Sequence, residues 1–189
     1  MKYKEIRPWK STVIVVTCLA MLALFTATAF PSHVSAVDRP SITVILVRHA
    51  EKAVVPPENK DPDLSPAGLA RAEELQKMFG QTGIAAIYAT QFKRTQQTVK
   101  PLAHKLGLTV TQVEAKNTSE VVKQIRARSA GEVVFVAGHN NTVPEIIAAL
   151  GGPKLPIISE TEYDNLYILT VQSDGSAKLL KLKYSSPGK

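Results

Sequence analysis

Two runs of apolar residues in this chain each end in a histidine, and this repeated pattern is the strongest constraint on its fold. The first run, 44–47 with Ile42 just before it, leads directly into Arg48 and His49, and the second, 133–137, leads into Gly138 and His139. Short continuous apolar runs predict strands that are buried on both faces, as in parallel sheets. Because ligands of open α/β sheets bind beyond the carboxyl ends of the strands, we expect the two imidazoles to lie over one pocket.

The first 36 residues have the pattern of an export signal. A basic start precedes an almost uncharged stretch at 11–30, and the small residues at 34–36 resemble a signal-peptidase site. Residues 1–36 are therefore predicted to be a signal peptide, which makes the protein periplasmic or secreted. The alternative is an uncleaved N-terminal membrane anchor, because a stretch of about 20 apolar residues can span a bilayer.

The composition of the remaining residues excludes several classes of protein. The formal net charge of +7 falls to +4 once the four Lys/Arg residues and the one Glu of 1–36 are removed. No run of basic residues with interleaved aromatic residues is present, so nucleic acid is not an expected partner. The single cysteine, Cys18, lies in the leader, so the domain has no disulfide, no thiol nucleophile and no cysteine metal site.

Strands and helices are predicted to alternate along residues 42–189, after a short tether at 37–41. Strands are expected at 42–47, 84–89, 108–113 and 133–137. A helix is expected from Ser65 to Gly80 or Gly83, with an apolar stripe formed by Leu69, Ala72, Leu75 and Phe79. Further helices are expected at 92–106 with a kink or division at Pro101 and an end at Gly107, from 117–119 onward, and at 142–150. The turn Asp174-Gly175 predicts a hairpin between 166–171 and 177–184. The fold class is thus a three-layer α/β/α sandwich with a mostly parallel sheet and a C-terminal antiparallel hairpin.

The residues at the ends of the predicted strands have the chemistry of a phosphoryl site. Arg48 and Arg94 each offer a planar fork of donors that matches phosphate oxygens. A neutral imidazole such as that of His49 can attack phosphorus, and a second one at His139 can donate to a phosphoryl oxygen. Phosphoryl transfer needs mainly positioning and charge neutralisation, and these groups supply both without a metal or another cofactor.

Four motifs in this order resemble the histidine phosphatase superfamily, in its phosphoglycerate mutase-like branch. The strand followed by Arg-His matches 47–50, and the acidic Leu-Thr-Gly segment matches 63–68. The Arg-x-x-Gln-Thr helix entry matches 94–98, and the Gly-His-Asn motif matches 138–140. The resemblance covers residues 42–152 and implies a phosphoglycerate mutase-like fold. It also implies that His49 is the phosphorylated nucleophile and that Arg48, Arg94 and His139 bind the phosphoryl group.

The chain departs from the family pattern at two places. Ala50 stands where glycine is commoner, which costs about 1 kcal/mol if the backbone there requires a positive φ. Thr90-Gln91 replaces a common Ser-Ser-Pro, so the loop after the second strand is expected to differ in shape.

The general acid that protonates the leaving oxygen has two candidates. Glu51 lies two residues after the proposed nucleophile and is the preferred one, and Glu114 follows the third predicted strand. The two histidines lack a matching carboxylate cluster, so no metal site is expected.

The sequence thus predicts an exported, metal-independent phosphomonoester hydrolase that acts on a small phosphorylated substrate. A mutase is disfavoured, because the family's mutases keep an inserted segment over the pocket and the short connections here leave little room for one. The alternatives are a protein phosphohistidine phosphatase and a non-catalytic phosphate- or phosphosugar-binding module. Specificity is expected to reside in 52–63 and 154–164. The sequence contains no signal for an oligomeric state.

Overall fold

A computed structural model describes residues 40–184 of the chain. All described residues belong to one compact unit. The predicted signal peptide or anchor at 1–36 lies outside the described residues. Within the described part, no helix is long and apolar enough to cross a membrane.

A six-stranded mixed sheet forms the centre of the domain. In chain order the strands are β1 (Ser41–Arg48), β2 (Ile84–Thr90), β3 (Val110–Val113), β4 (Val133–Gly138), β5 (Asn165–Gln172) and β6 (Ala177–Lys183). They are arranged in the order β3-β2-β4-β1-β5-β6. Strands β1 to β4 are parallel, whereas β5 is antiparallel to β1 and β6 is antiparallel to β5. The predicted parallel sheet with a C-terminal hairpin is confirmed.

Helices cover both faces of this sheet. They are α1 (Pro66–Phe79), α2 (Lys93–Leu106), α3 (Thr118–Arg126) and α4 (Thr142–Ala149). Side chains of α1 and α2 pack in one hydrophobic core with Ile45 and Val47, and side chains of α3 and α4 pack in another with Val44 and Leu46. Because successive residues of β1 point to opposite faces, one continuous apolar run serves both cores. The three-layer α/β/α architecture is therefore confirmed.

Local signals at helix ends agree with the structure. Ser65 is the N-cap of α1, with its hydroxyl accepting a hydrogen bond from the backbone N–H of Gly68 at 3.1 Å, and Pro66 occupies the first turn. Helix α2 ends at Gly107, which has a φ of 66°. Pro101 does not divide α2, which runs without interruption from Lys93 to Leu106. Burial of Leu102 and its neighbours against the sheet offsets the hydrogen bond that proline cannot donate.

The buried face of α1 agrees with the expected apolar stripe at three positions, Ala72, Leu75 and Phe79. Leu69 was also expected to face the core, but it is half exposed, whereas Gly68 and Arg71 are buried. A Cβ on Gly68 would lie 2.2 Å from the backbone oxygen of Glu51, so the helix approaches the segment after β1 very closely at this point. The Arg71 guanidinium pairs with the Glu51 carboxylate. These two contacts place Gly68 and Arg71, and not Leu69, on the buried side at the start of α1.

Candidate active site

The register between β1 and β4 brings the two histidines together. Arg48 pairs with Gly138 in the parallel ladder, and the backbone N–H of His49 donates to the Gly138 carbonyl at 2.9 Å. His49 and His139 therefore follow at equivalent positions on adjacent strands. Their ring centroids lie 5.4 Å apart, and the two residues are only 4% and 7% exposed. The structure thus places both imidazoles at the carboxyl end of the sheet, side by side.

A hydrogen bond to the backbone sets the tautomer of His49. Nδ1 of the ring lies 2.8 Å from the carbonyl oxygen of Ala50. A carbonyl oxygen can only accept, so Nδ1 carries the hydrogen and donates it. The lone pair of neutral His49 is then on Nε2, the nitrogen that is available for attack on an electrophile.

Both imidazoles are held in their neutral form. Burial lowers the pKa of His49 to about 3, with further lowering by the positive charge of Arg48, by His139 and by Arg94; the hydrogen bond to Ala50 acts in the opposite direction. Burial lowers the pKa of His139 to about 4, and the charges of Arg94 and Arg48 add to this effect. An uncharged imidazole among guanidinium groups is the state required of a nitrogen nucleophile.

Hydroxyl groups at the end of β2 orient His139. Nε2 of His139 lies 2.9 Å from Oγ1 of Thr90, which lies 2.8 Å from Oγ1 of Thr95 at the start of α2. The backbone N–H of His139 donates to Oγ1 of Thr142, in the first turn of α4, at 2.8 Å. Thr90 therefore orients the ring of His139, and Thr142 fixes its backbone. The role of Thr90 was not predicted, although its departure from the family pattern marked this position.

Arg48 is held by the segment Ser159, Glu160, Thr161, Glu162 and Tyr163, which we call the Arg48 clamp. Nη1 of Arg48 donates to the carbonyl oxygens of Ser159 at 2.6 Å and Glu162 at 3.3 Å. Nη2 donates to Oε2 of Glu160 at 2.7 Å. The Tyr163 ring centroid lies 4.4 Å from Cζ of Arg48. The sequence indicated a role for 154–164, but it identified none of these residues.

Arg94 approaches the same place from the first turn of α2. Its Cζ lies 4.3 Å from the centroid of the Phe92 ring, and that ring lies 5.3 Å from the ring of His139. Nη1 of Arg94 is 3.7 Å from Oδ1 of Asp61, in the loop that follows β1. Its side chain is 16% exposed, so the guanidinium is partly shielded from water yet remains accessible.

The four predicted phosphoryl-site residues line one cavity of about 350 Å³. Its lining residues are Arg48, His49, Lys52, Phe92, Arg94, Ala115, Lys116, His139, Asn140, Asn141, Thr142 and Glu160. Among these described residues, only Glu160 is a carboxylate. A second cavity of about 550 Å³, lined mainly by the loop after β1, shares Lys52 and Arg94 with the first. Four positive side chains therefore surround a concave site, which suits an anion.

The structure does not place either predicted general acid among the residues that line the cavity. Glu51 forms a bidentate ion pair with the buried Arg71, with Nη2 at 2.7 Å from Oε1 and Nε at 2.9 Å from Oε2. This pairing favours the ionised carboxylate, whereas a general acid must be protonated. Glu114 is exposed beyond the end of β3. Within residues 40–184, no group of three or more histidine, cysteine or acidic side chains could hold a metal ion.

Ala50 adopts an ordinary backbone conformation. Among the described residues, only glycines have a positive φ, so the strain considered for alanine at this position does not arise. The residue is fully buried, and its N–H donates to Oγ1 of Thr98 at 2.9 Å. Alanine therefore fits the position without strain and links the end of β1 to α2.

Comparison with known families agrees with this geometry. The model of the histidine phosphatase superfamily, branch 1, matches residues 44–117, a range that includes Arg48, His49 and Arg94. Over this range the chain is similar to members of the histidine phosphatase superfamily. His139 lies beyond the matched range, but the register of β1 and β4 places it against His49. No curated protein sequence matches the chain at a significant level.

Solved structures share the histidine phosphatase fold with this chain. A protein assigned as phosphohistidine phosphatase SixA from Agrobacterium tumefaciens is 22% identical, with a TM-score of 0.58, and the alignment covers 77% of this chain and 99% of that one. A mycobacterial glucosyl-3-phosphoglycerate phosphatase is 14% identical, with a TM-score of 0.58 and coverages of 77% and 100%. Phosphoglycerate mutase from Plasmodium falciparum is 15% identical, with a TM-score of 0.54 and coverages of 79% and 96%. At these identities the likeness establishes a shared fold.

Proposed function

We propose that this protein is a phosphomonoester hydrolase that works through a phosphohistidine intermediate on His49 and needs no metal ion. The observation that supports it most is the neutral, buried pair of His49 and His139 between Arg48 and Arg94. Members of the superfamily are phosphatases or mutases, and two of the solved structures with this fold are assigned as phosphatases.

In the first step, the lone pair on Nε2 of His49 attacks the phosphorus of the substrate. The N–P bond forms while the bond from phosphorus to the alcohol oxygen breaks, and the leaving oxygen takes up a proton. The two guanidinium groups balance the charge on the phosphoryl oxygens, and His139 donates a hydrogen bond to one of them. The hydrogen bond from Nδ1 to the Ala50 carbonyl stabilises the positive charge that develops on the His49 ring.

In the second step, water attacks the phosphohistidine. The water oxygen bonds to phosphorus as the N–P bond breaks, and one water proton restores the group that protonated the leaving oxygen. Inorganic phosphate leaves with the other proton, and His49 returns to its neutral form. The charge neutralisation that a metal ion would supply comes from Arg48 and Arg94. Glu51 remains the predicted donor of the proton that the leaving oxygen takes up in the first step. The ion pair of Glu51 with Arg71 does not favour this role. Substrates with good leaving groups do not need a proton donor.

Two other functions are compatible with the same site. A protein phosphohistidine phosphatase is favoured by the likeness to SixA and would require a phosphorylated protein to reach the cavity. A binding module for phosphate or phosphosugars would keep the arginines and lose turnover. A small phosphorylated substrate suits the cavity of about 350 Å³ best, since the adjoining cavity of about 550 Å³ can take the alcohol part.

Export is the second part of the proposal. Its support is the basic, apolar and small-residue pattern of 1–36. Sequencing the N-terminus of the protein from its native host tests it. A start at about residue 37 supports cleavage, a start at Met1 with the protein in the membrane fraction supports an anchor, and a start at Met1 in the cytoplasm contradicts export.

Hydrolysis of p-nitrophenyl phosphate in the presence of a metal chelator tests the chemistry. We expect activity that the chelator does not reduce, and a phosphoenzyme that survives alkali but not acid. His49→Ala should lower kcat by about three orders of magnitude or more, because the nucleophile is lost. The matched control is His104→Ala, which removes an exposed histidine of α2 and should leave kcat unchanged.

The result separates the three functions. Activity that depends on added metal contradicts the mechanism, and oxyanion binding without any turnover supports the binding module. If the protein dephosphorylates a phosphohistidine protein far faster than it hydrolyses small phosphate esters, the result supports a protein phosphohistidine phosphatase. Retained activity in His49→Ala would contradict the assignment of the nucleophile.

A further inference from the structure

The hydrogen-bond donors of Arg48 are not equally available to a ligand. Nη1 is committed to the two backbone carbonyls of the Arg48 clamp, Ser159 and Glu162. Nε is buried and has no hydrogen-bond partner among the described residues. A guanidinium binds an oxyanion best through two parallel N–H groups. With Nη1 occupied, the edge formed by Nε and Nη2 is the one that can bind a phosphoryl group in this way.

Glu160 occupies half of that edge. Its Oε2 accepts from Nη2 of Arg48 at 2.7 Å, and its Oε1 accepts from the side-chain amide of Asn140 at 2.6 Å. Arg48 and Asn140 belong to the two motifs at the ends of β1 and β4, so one carboxylate bridges both. A carboxylate is a planar anion that makes the same paired hydrogen bonds as two phosphoryl oxygens. Glu160 thus makes one of the two hydrogen bonds to Arg48 that an incoming oxyanion would make.

The contact of Glu160 is easily exchanged, in contrast to the rest of the clamp. Its side chain is 67% exposed, while that of Arg48 is 2% exposed. The segment 152–159 that precedes it is neither helix nor strand. An ion pair with one highly exposed partner contributes little net stability. The carboxylate can therefore leave Arg48 and remain solvated, while the backbone carbonyls keep the guanidinium in place.

We propose that Glu160 is an internal competitor for the phosphoryl site, which a phosphoryl group displaces from Arg48 and Asn140 when it binds. This inference rests on the proposed function, because it assigns the Nε and Nη2 edge of Arg48 to the phosphoryl group. The carboxylate weakens the binding of any oxyanion, since its own contacts must be broken and its charge repels the ligand. It also returns to Arg48 when inorganic phosphate leaves, which limits inhibition by the product.

Direct binding of tungstate, a tetrahedral oxyanion, tests this without relying on turnover. We expect Glu160→Gln and Glu160→Ala to lower the Kd for tungstate by about tenfold, a factor that lies between the limits for a like charge about 4 Å away in bulk water and at a protein surface. The inhibition constant of inorganic phosphate against p-nitrophenyl phosphate should fall by a similar factor. Isothermal titration calorimetry gives the first quantity and steady-state kinetics the second.

The matched control is Glu145→Gln, which removes the same charge from the exposed first turn of α4, where the carboxylate accepts from Thr118. It should leave both constants unchanged. Unchanged or weaker binding in both Glu160 variants, with clear binding by the wild type, would overturn the competitor role and leave the proposed function standing. No binding of tungstate by any of these proteins would overturn both.

Discussion

Lowering the pH is expected to destabilise this protein through the two site histidines. In the folded protein their pKa values are about 3 and about 4, whereas an unfolded chain has values near 6.5. As the pH falls below about 6.5, the unfolded chain binds two protons that the native protein does not bind. The contribution of the two neutral histidines to the free energy of unfolding is therefore fully present above about pH 7.5. It decreases as the pH is lowered toward the pKa values of the folded protein.

The size of the effect follows from the width of this window. One pH unit corresponds to about 1.4 kcal/mol for each proton. Between about pH 6.5 and about pH 5, each histidine therefore reduces the free energy of unfolding by about 2 kcal/mol, and the pair reduces it by about 4 kcal/mol. No discount for solvent screening is needed, because the two residues are only 4% and 7% exposed. For a domain of this size, that corresponds to a decrease in Tm of about 8 to 16 °C.

Urea unfolding at about pH 8 and about pH 5 measures this contribution. Loss of stability from other groups is shared by the wild type and a His49→Gln/His139→Gln double variant, so the difference between them isolates the pair. We expect the double variant to lose about 4 kcal/mol less than the wild type over this range. His104→Gln, at an exposed position of α2, is the control and should behave as the wild type does. Equal losses in the wild type and the double variant would refute the neutral state of the two rings.

Three further predictions concern the residues around the site. In urea titrations, Glu51→Gln should lower the free energy of unfolding by about 3 kcal/mol, because it leaves the buried guanidinium of Arg71 without its counter-charge. The double variant Glu51→Gln/Arg71→Met should recover part of that loss. Gly68→Ala should cost about 2 kcal/mol in the same assay, because the new Cβ would lie 2.2 Å from the backbone oxygen of Glu51; stability equal to the wild type would contradict this close approach. Thr90→Val should lower kcat about tenfold with little change in KM in steady-state kinetics, because it removes the hydroxyl that contacts His139. Thr90→Ser retains this hydroxyl and is the control. Equal kinetics of the two variants would exclude a role for the hydroxyl.

Much of the fold could be read from local patterns. The apolar runs at β1 and β4 predict strands buried on both faces, because a side chain on either face of a central parallel strand meets a helix. Ser65-Pro66 and Gly107 mark helix ends through capping and backbone conformation, which depend on neighbouring residues alone. The two histidines and two arginines were predicted to share a site because residues that follow parallel strands collect at one edge of the sheet.

The contacts that complete the site depend on residues far apart in the chain. Strand β5 lies antiparallel beside β1, with Leu166 opposite Val47, and this pairing brings the preceding segment, with Glu160 and Tyr163, onto Arg48. No local pattern states which strand lies next to β1, because strand order follows from how the whole chain buries its apolar surface. The amino-acid sequence therefore identified the groups that perform the chemistry, and the packing of distant segments established which donors of those groups are available to a ligand.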